Sequence, residues 1–138
     1  MVTRLPRSYR PSESERFMGN KQREYFRRKL IQWRDNLRRE STATLHHLQE
    51  GSNQAPDAAD RASTETDRAL ELRTRERERK LINKINSALE RLAGKTYGYC
   101  EETGEPIGLR RLEARPVATL SLEAQERHER REKAYNGD

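Results

Sequence analysis

One cysteine in 138 residues excludes an internal disulfide framework and agrees with a reducing compartment. Apolar residues are scarce at 31%, aromatics make up 6%, and 38% of the chain is charged, which leaves too little apolar surface for a large globular core. Nowhere does an apolar run approach the roughly 20 residues a membrane-spanning helix needs, and the N-terminus MVTRLPRSYR lacks the apolar region of a signal peptide. A cytoplasmic protein with no membrane partner is expected. Lone Cys100 has no histidine placed by sequence context to activate it, since His46, His47 and His128 lie in unrelated segments, so an enzyme is not expected. Cys100 reads as a small buried packing residue; the adjacent Glu101 and Glu102 are expected to raise its pKa and blunt any redox role. Neighbouring His46 and His47 point about 100° apart on a helix and read as exposed polar residues.

What is abundant is charge, and its distribution is uneven. The net charge is +6. Residues 1–40 carry 12 basic and 5 acidic side chains, residues 41–72 carry 2 and 6, and residues 73–138 carry 15 and 12. An acidic stretch thus lies inside a basic protein, whose balance points to an acidic partner such as nucleic acid or a nucleic-acid machine.

Helical periodicity fills most of the chain. From Asn20, a candidate N-cap, the residues Phe26, Leu30, Trp33 and Leu37 recur at spacings of 4, 3 and 4, with Leu45 and Leu48 resuming the stripe. A second run from Asp57 to Ala93 shows Leu81, Ile85, Ala88 and Leu92 at the same spacings, with Leu70 and Leu72 upstream and Ile82 and Leu89 broadening the face. Between them, Gly51 to Pro56 supplies a reversal. The expected fold is mainly α: a long antiparallel coiled-coil hairpin over 18–94 with its tip near 51–62, preceded by a flexible arm over 1–17. Residues 95–138 form a small degenerate zinc-ribbon-like knob, of α/β-like or irregular structure, and a C-terminal helix over Ser121–Ala134.

In that last segment Cys100, Thr103, Ser121 and Ala124 keep the frame of two C-x-x-C pairs, 17 residues apart, that closes a four-thiolate zinc site. A hydroxyl and a methyl cannot replace a thiolate, so no metal is expected. Tyr97, Tyr99, Ile107, Leu109, Leu112, Val117, Leu120 and Leu122 are expected to hold the knob together instead.

The core Gly98-Tyr99-Cys100, Gly104, Ile107-Gly108 and Arg110 to Pro116 resembles the DksA family of bacterial transcription factors. The resemblance extends to the basic helix Leu70 to Ile82, the acidic turn Pro56 to Ala62 and the segment Tyr25 to Glu40, in the same order. It implies a non-enzymatic, monomeric regulator that binds RNA polymerase directly and no specific DNA sequence. Its acidic tip, Asp57, Asp60 and Ala62, would pass through the secondary channel toward the catalytic centre and alter open-complex stability. Arg77 would contact the polymerase, and Leu81, Lys84 and Arg115 would line a guanosine tetraphosphate site shared with it, the nucleotide acting as effector. Where the family commonly has lysine, this chain has Gln125, which removes a cation from that site. Local chemistry offers a second reading of the tip, since Asp57 can cap the helix while Asp60 meets its positive dipole end. Arg73, Arg75, Arg77, Arg79, Lys80 and Lys84 likewise suit a solvated helix with near-neighbour ion pairs around Glu76 and Glu78. Two other classes stay open: a basic nucleic-acid-binding protein, and a cleavage factor resembling the Gre proteins.

Overall fold

The computed structural model describes the backbone of residues 3–51 and 58–135, and the side chains of these except 44, 47–51 and 58–60. Four helices follow in order: α1 (Asn20–Gly51), α2 (Ala58–Ala93), α3 (Leu109–Ala114) and α4 (Leu122–Tyr135). No strand occurs among the described residues; one isolated antiparallel bridge joins Tyr99 to Pro106. The mainly α expectation is met, and α2 and α4 begin and end within one residue of the boundaries read from the sequence. No helix among the described residues is long and apolar enough to cross a membrane.

The chain divides into two compact units: Ile31–Asn86, and Met1–Leu30 with Ser87–Asp138. The first consists of the paired α1 and α2 segments. Two helices can bury only the narrow stripe between them, and here Leu37 (8% exposed) and Ile85 (0%) fill it. A polar tie crosses the pair, with Arg34 Nη1 donating to Asn86 Oδ1 at 2.9 Å. Elsewhere the helices support themselves locally, through the Glu76–Arg79 pair at 2.5 Å and the Thr74 hydroxyl donating to the Leu70 carbonyl at 3.0 Å.

The second unit has a richer core. Phe26, Leu30, Ala88, Leu92, Tyr97, Leu112 and Ala124 are each at most 6% exposed. Phe26 packs on Tyr97 with ring centroids 5.7 Å apart, and the Tyr97 hydroxyl donates to the Pro116 carbonyl at 2.7 Å. Residues 3–19 contact this core. Phe17 meets Tyr99 edge-on at 5.5 Å and Tyr9 meets Tyr25 at 6.1 Å. Buried Gln22 accepts the Met18 N–H at 2.9 Å and donates to the Ser12 carbonyl at 3.1 Å, which satisfies both ends of its amide. Met18 and Phe17 close on Gly98 and leave no room for a Cβ, which would lie 2.9 Å from Met18 Cγ, and the backbone there has φ +92°, which favours glycine.

Four expectations about single residues need correction. Leu70 and Leu72 are 54% and 48% exposed rather than seam members, and Leu122 is 58% exposed rather than part of the knob's packing. Asn20 does not cap α1: it is the first helical residue and its side chain accepts from Arg23 Nη2, while the Arg23 N–H bonds the Gly19 carbonyl at 3.0 Å. Leu48 and His47 lie outside the described side chains, and Leu45 is half-buried.

Candidate functional site

The degenerate zinc frame is assembled by two tight turns. Gly104 N–H donates to the Cys100 carbonyl at 2.9 Å, and Cys100 N–H donates to the Glu105 carbonyl at 2.8 Å, folding residues 100–105 into a knuckle. Gly104 makes that turn at φ +74°. On the opposite side Ser121 starts α4: its carbonyl accepts the Gln125 N–H at 2.9 Å and its hydroxyl accepts the Ala124 N–H at 3.2 Å. A bond from Glu101 N–H to the Thr119 carbonyl at 2.9 Å holds the two turns together.

Around the Cys100 sulfur the turns supply donors. Burial, the largest single influence, raises the thiol pKa. The backbone N–H of Ser121, the hydroxyl and N–H of Thr103 and the N–H of Glu102 together outweigh it and pull the pKa from 9.0 to about 6. Expectation and structure differ here for a geometric reason. The Glu102 carboxylate is engaged by α4, hydrogen-bonded to His128 Nε2 and 3.7 Å from Arg127, while its backbone N–H faces the sulfur. Cys100 is buried, as expected, at 3% exposure.

Three of the four frame positions therefore meet around one sulfur, and the fourth, Ala124, is fully buried in the same unit. This donor set does not fit zinc: one thiolate remains, the two hydroxyl oxygens are neutral and weak ligands, and a methyl offers no lone pair. Among the described residues there is no group of three or more His, Cys, Asp or Glu able to hold a metal ion.

A second polar cluster ties α1 to the end of α3. Lys29 Nζ donates to Glu113 Oε2 at 2.6 Å and to the Glu113 carbonyl at 3.0 Å. Burial alone would raise Glu113; hydrogen bonds from Lys29 and Tyr25 and the charges of Lys29 and Arg10 hold it below the usual carboxylate range. Neither this clamp nor the Glu102–His128 link has a motif that sequence reading would detect, because each joins distant residues of ordinary type.

The residues singled out in the sequence separate between the two units. Arg77, Leu81 and Lys84 lie on α2 in the helix-pair unit, Arg77 and Lys84 exposed and Leu81 half-buried. Arg115 is exposed in the other unit, at the C-terminal end of α3, where its N–H donates to the Arg111 carbonyl. Gln125 is half-buried, with its amide 3.3 Å from Glu129. Of the tip residues, Ala62 is exposed on α2, Asp60 is placed by backbone alone in its first turn, and Asp57 lies outside the described residues.

Comparison with known proteins covers nearly the whole chain. Residues 22–92 match the model of the DnaK suppressor protein DksA N-terminal domain, and residues 95–130 match that of the prokaryotic dksA/traR C4-type zinc finger. The RNA polymerase-binding transcription factor DksA of Caulobacter vibrioides is 63% identical over 130 residues, covering 94% of this chain and 92% of that protein. The protein of the same name from Escherichia coli K12 is 44% identical over 129 residues, covering 94% and 85%. Transcription factor DksA2 from Pseudomonas aeruginosa superposes with a TM-score of 0.80 at 46% identity, over 89% of this chain and 93% of that one. The chain belongs to the DksA family, as a member in which the four-cysteine frame has kept a single cysteine.

Proposed function

We propose that this chain is a transcription regulator that binds RNA polymerase directly and works without zinc. The observation that carries the reading is the 63% identity, over 94% of the chain, to a protein named for polymerase binding. In this reading the protein is a cytoplasmic monomer without catalytic activity of its own and without sequence-specific DNA binding. An N-terminal segment (1–17), expected from its composition to be a flexible arm but docked over 3–17 on Tyr25, Gln22 and Tyr99, a coiled-coil hairpin (18–94) and the knob with its C-terminal helix (95–138) divide the work. The hairpin tip, with Asp57, Asp60 and Ala62, enters the secondary channel. A slim helical pair reaches a buried catalytic centre that a globular body cannot enter, acidic groups act on the elements around its metal, and a small Ala62 permits close approach.

Arg77 contacts the polymerase, and Leu81, Lys84 and Arg115 contribute to a guanosine tetraphosphate site completed by the polymerase. Full charge and the forked donors of arginine suit diphosphates. Regulation is a population shift: the factor binds one polymerase conformation better, so promoters with short-lived open complexes are inhibited. The donor set at the former metal site supports zinc independence, since neutral hydroxyls and a methyl replace three thiolates.

Substitution at the tip tests this directly. Asp60→Asn retains polymerase binding and loses regulation of a ribosomal RNA promoter; equal loss of both would show that the tip is not separable from the binding surface.

A further inference from the structure

Glu113 is the only acidic residue between Pro106 and Leu122, in a stretch that also carries Arg110, Arg111 and Arg115. A carboxylate so placed has cationic partners on its own segment, at Arg110 one helical turn before it and at Arg115 two residues after it. It pairs with neither. Lys29, from α1 of the same unit, donates to Glu113 Oε2 at 2.6 Å and to the Glu113 carbonyl at 3.0 Å. The Tyr25 hydroxyl bonds the same carboxylate and the charge of Arg10 acts on it, so this side chain is committed to the N-terminal part of the unit.

The backbone around Arg115 is fixed as well. Lys29 occupies the Glu113 carbonyl, one of those that a helix end leaves without an intrahelical donor. Arg115 N–H donates to the Arg111 carbonyl at 2.8 Å, the Arg115 carbonyl accepts the Ala118 N–H at 3.0 Å, and the carbonyl of buried Pro116 accepts the Tyr97 hydroxyl at 2.7 Å. Arg111 is spent on the Leu120 carbonyl at 2.9 Å. The Arg115 side chain is left over: it is exposed and forms no ion pair with the described residues. We infer that Lys29 is a positioning residue for Arg115: by holding the Glu113 carboxylate it keeps the acid nearest in sequence from pairing with the Arg115 guanidinium and leaves that fork free for the diphosphate groups of guanosine tetraphosphate. This rests on the nucleotide-site reading above. Carboxylate and diphosphate compete for one fork because a guanidinium binds both through paired hydrogen bonds, and a carboxylate without its cation repels the incoming anion. Lys29 acts without touching the nucleotide.

Lys29→Met tests the assignment, since methionine keeps the length and helix propensity of lysine and removes its charge. Inhibition of a ribosomal RNA promoter is titrated with guanosine tetraphosphate for the wild-type chain, Lys29→Met, Lys29→Met/Glu113→Gln and Arg115→Ala, each checked for unchanged helicity by circular dichroism. The half-maximal nucleotide concentration is expected to rise roughly five- to tenfold in Lys29→Met and to return to within about twofold of wild type when Glu113→Gln is added, with nucleotide-free inhibition the same in all four. A shift that Glu113→Gln does not reverse, or an equal loss of nucleotide-free inhibition, would overturn the assignment, because Lys29 would then act through the fold alone. An unshifted Lys29→Met beside a weakened Arg115→Ala would overturn it while leaving the nucleotide site standing. A wild-type nucleotide response in Arg115→Ala would remove that site from Arg115 and the role of Lys29 with it.

Discussion

The N–H of Ala124 donates to the hydroxyl of Ser121 at 3.2 Å, so two positions that frame a zinc site in the four-cysteine pattern here form the N-terminal cap of α4. Where that pattern places two thiolates, this chain makes a local hydrogen bond. Such caps contribute about 1 kcal/mol. Ser121→Ala is accordingly expected to lower stability by about 1 kcal/mol in urea denaturation, and Ser121→Asp to restore most of it.

The preserved knuckles make a further outcome specific. Thr103→Cys, Ser121→Cys and Ala124→Cys together return four thiolates to a frame whose turns are already formed, so the triple variant is expected to bind one equivalent of zinc and to melt at a higher temperature when loaded. The unaltered chain should melt at the same temperature with or without chelator. Both are read by thermal denaturation and metal analysis after dialysis.

Cys100 links stability to pH with a definite sign. Its folded pKa, about 6, lies below the ordinary 9.0. The folded thiolate therefore contributes stability that is fully present above the unfolded value and is lost as pH falls through the folded one. The stability difference between the wild-type chain and Cys100→Ser should widen steadily from pH 6 to pH 9 under reducing conditions and be flat below pH 6. A difference independent of pH across that window would mean that the four donors do not hold a thiolate.

Gly98→Ala joins two penalties at one site. A Cβ there meets Met18 Cγ at 2.9 Å and Phe17 Cζ at 3.3 Å, and the backbone φ of +92° is unfavourable for any side chain. A loss of about 1–3 kcal/mol is expected. Earlier proteolysis within residues 3–19 should accompany it, because the displaced residues are those that dock this segment.

The seam of the helices was legible because period and burial coincide at Phe26, Leu30, Leu37, Ile85, Ala88 and Leu92, all buried. Leu70 shows where period stops being informative. It lies roughly 60° from Ile85 on the helical wheel, no farther than Ala88, yet is 54% exposed against 0%. Burial depends on what the facing helix offers at that level, which spacing along one helix does not contain. Leu122 fails similarly, since a leucine beside a helix cap reads as packing whichever way it points. The frame Cys100, Thr103, Ser121 and Ala124 was legible from spacing, whereas the lowered thiol pKa was not. Adjacent carboxylates are visible in a sequence; four donors turned toward a sulfur arise only when residues 102, 103 and 121 fold around it.

Transcription from a ribosomal RNA promoter by purified polymerase reads tip, nucleotide and metal together, comparing the wild-type chain with Asp57→Asn/Asp60→Asn, with and without guanosine tetraphosphate and a zinc chelator. Inhibition is expected to depend on the two aspartates, to increase with the nucleotide and to be unchanged by the chelator. Inhibition that persists without the aspartates, or disappears with the chelator, would contradict a tip-driven, zinc-independent regulator.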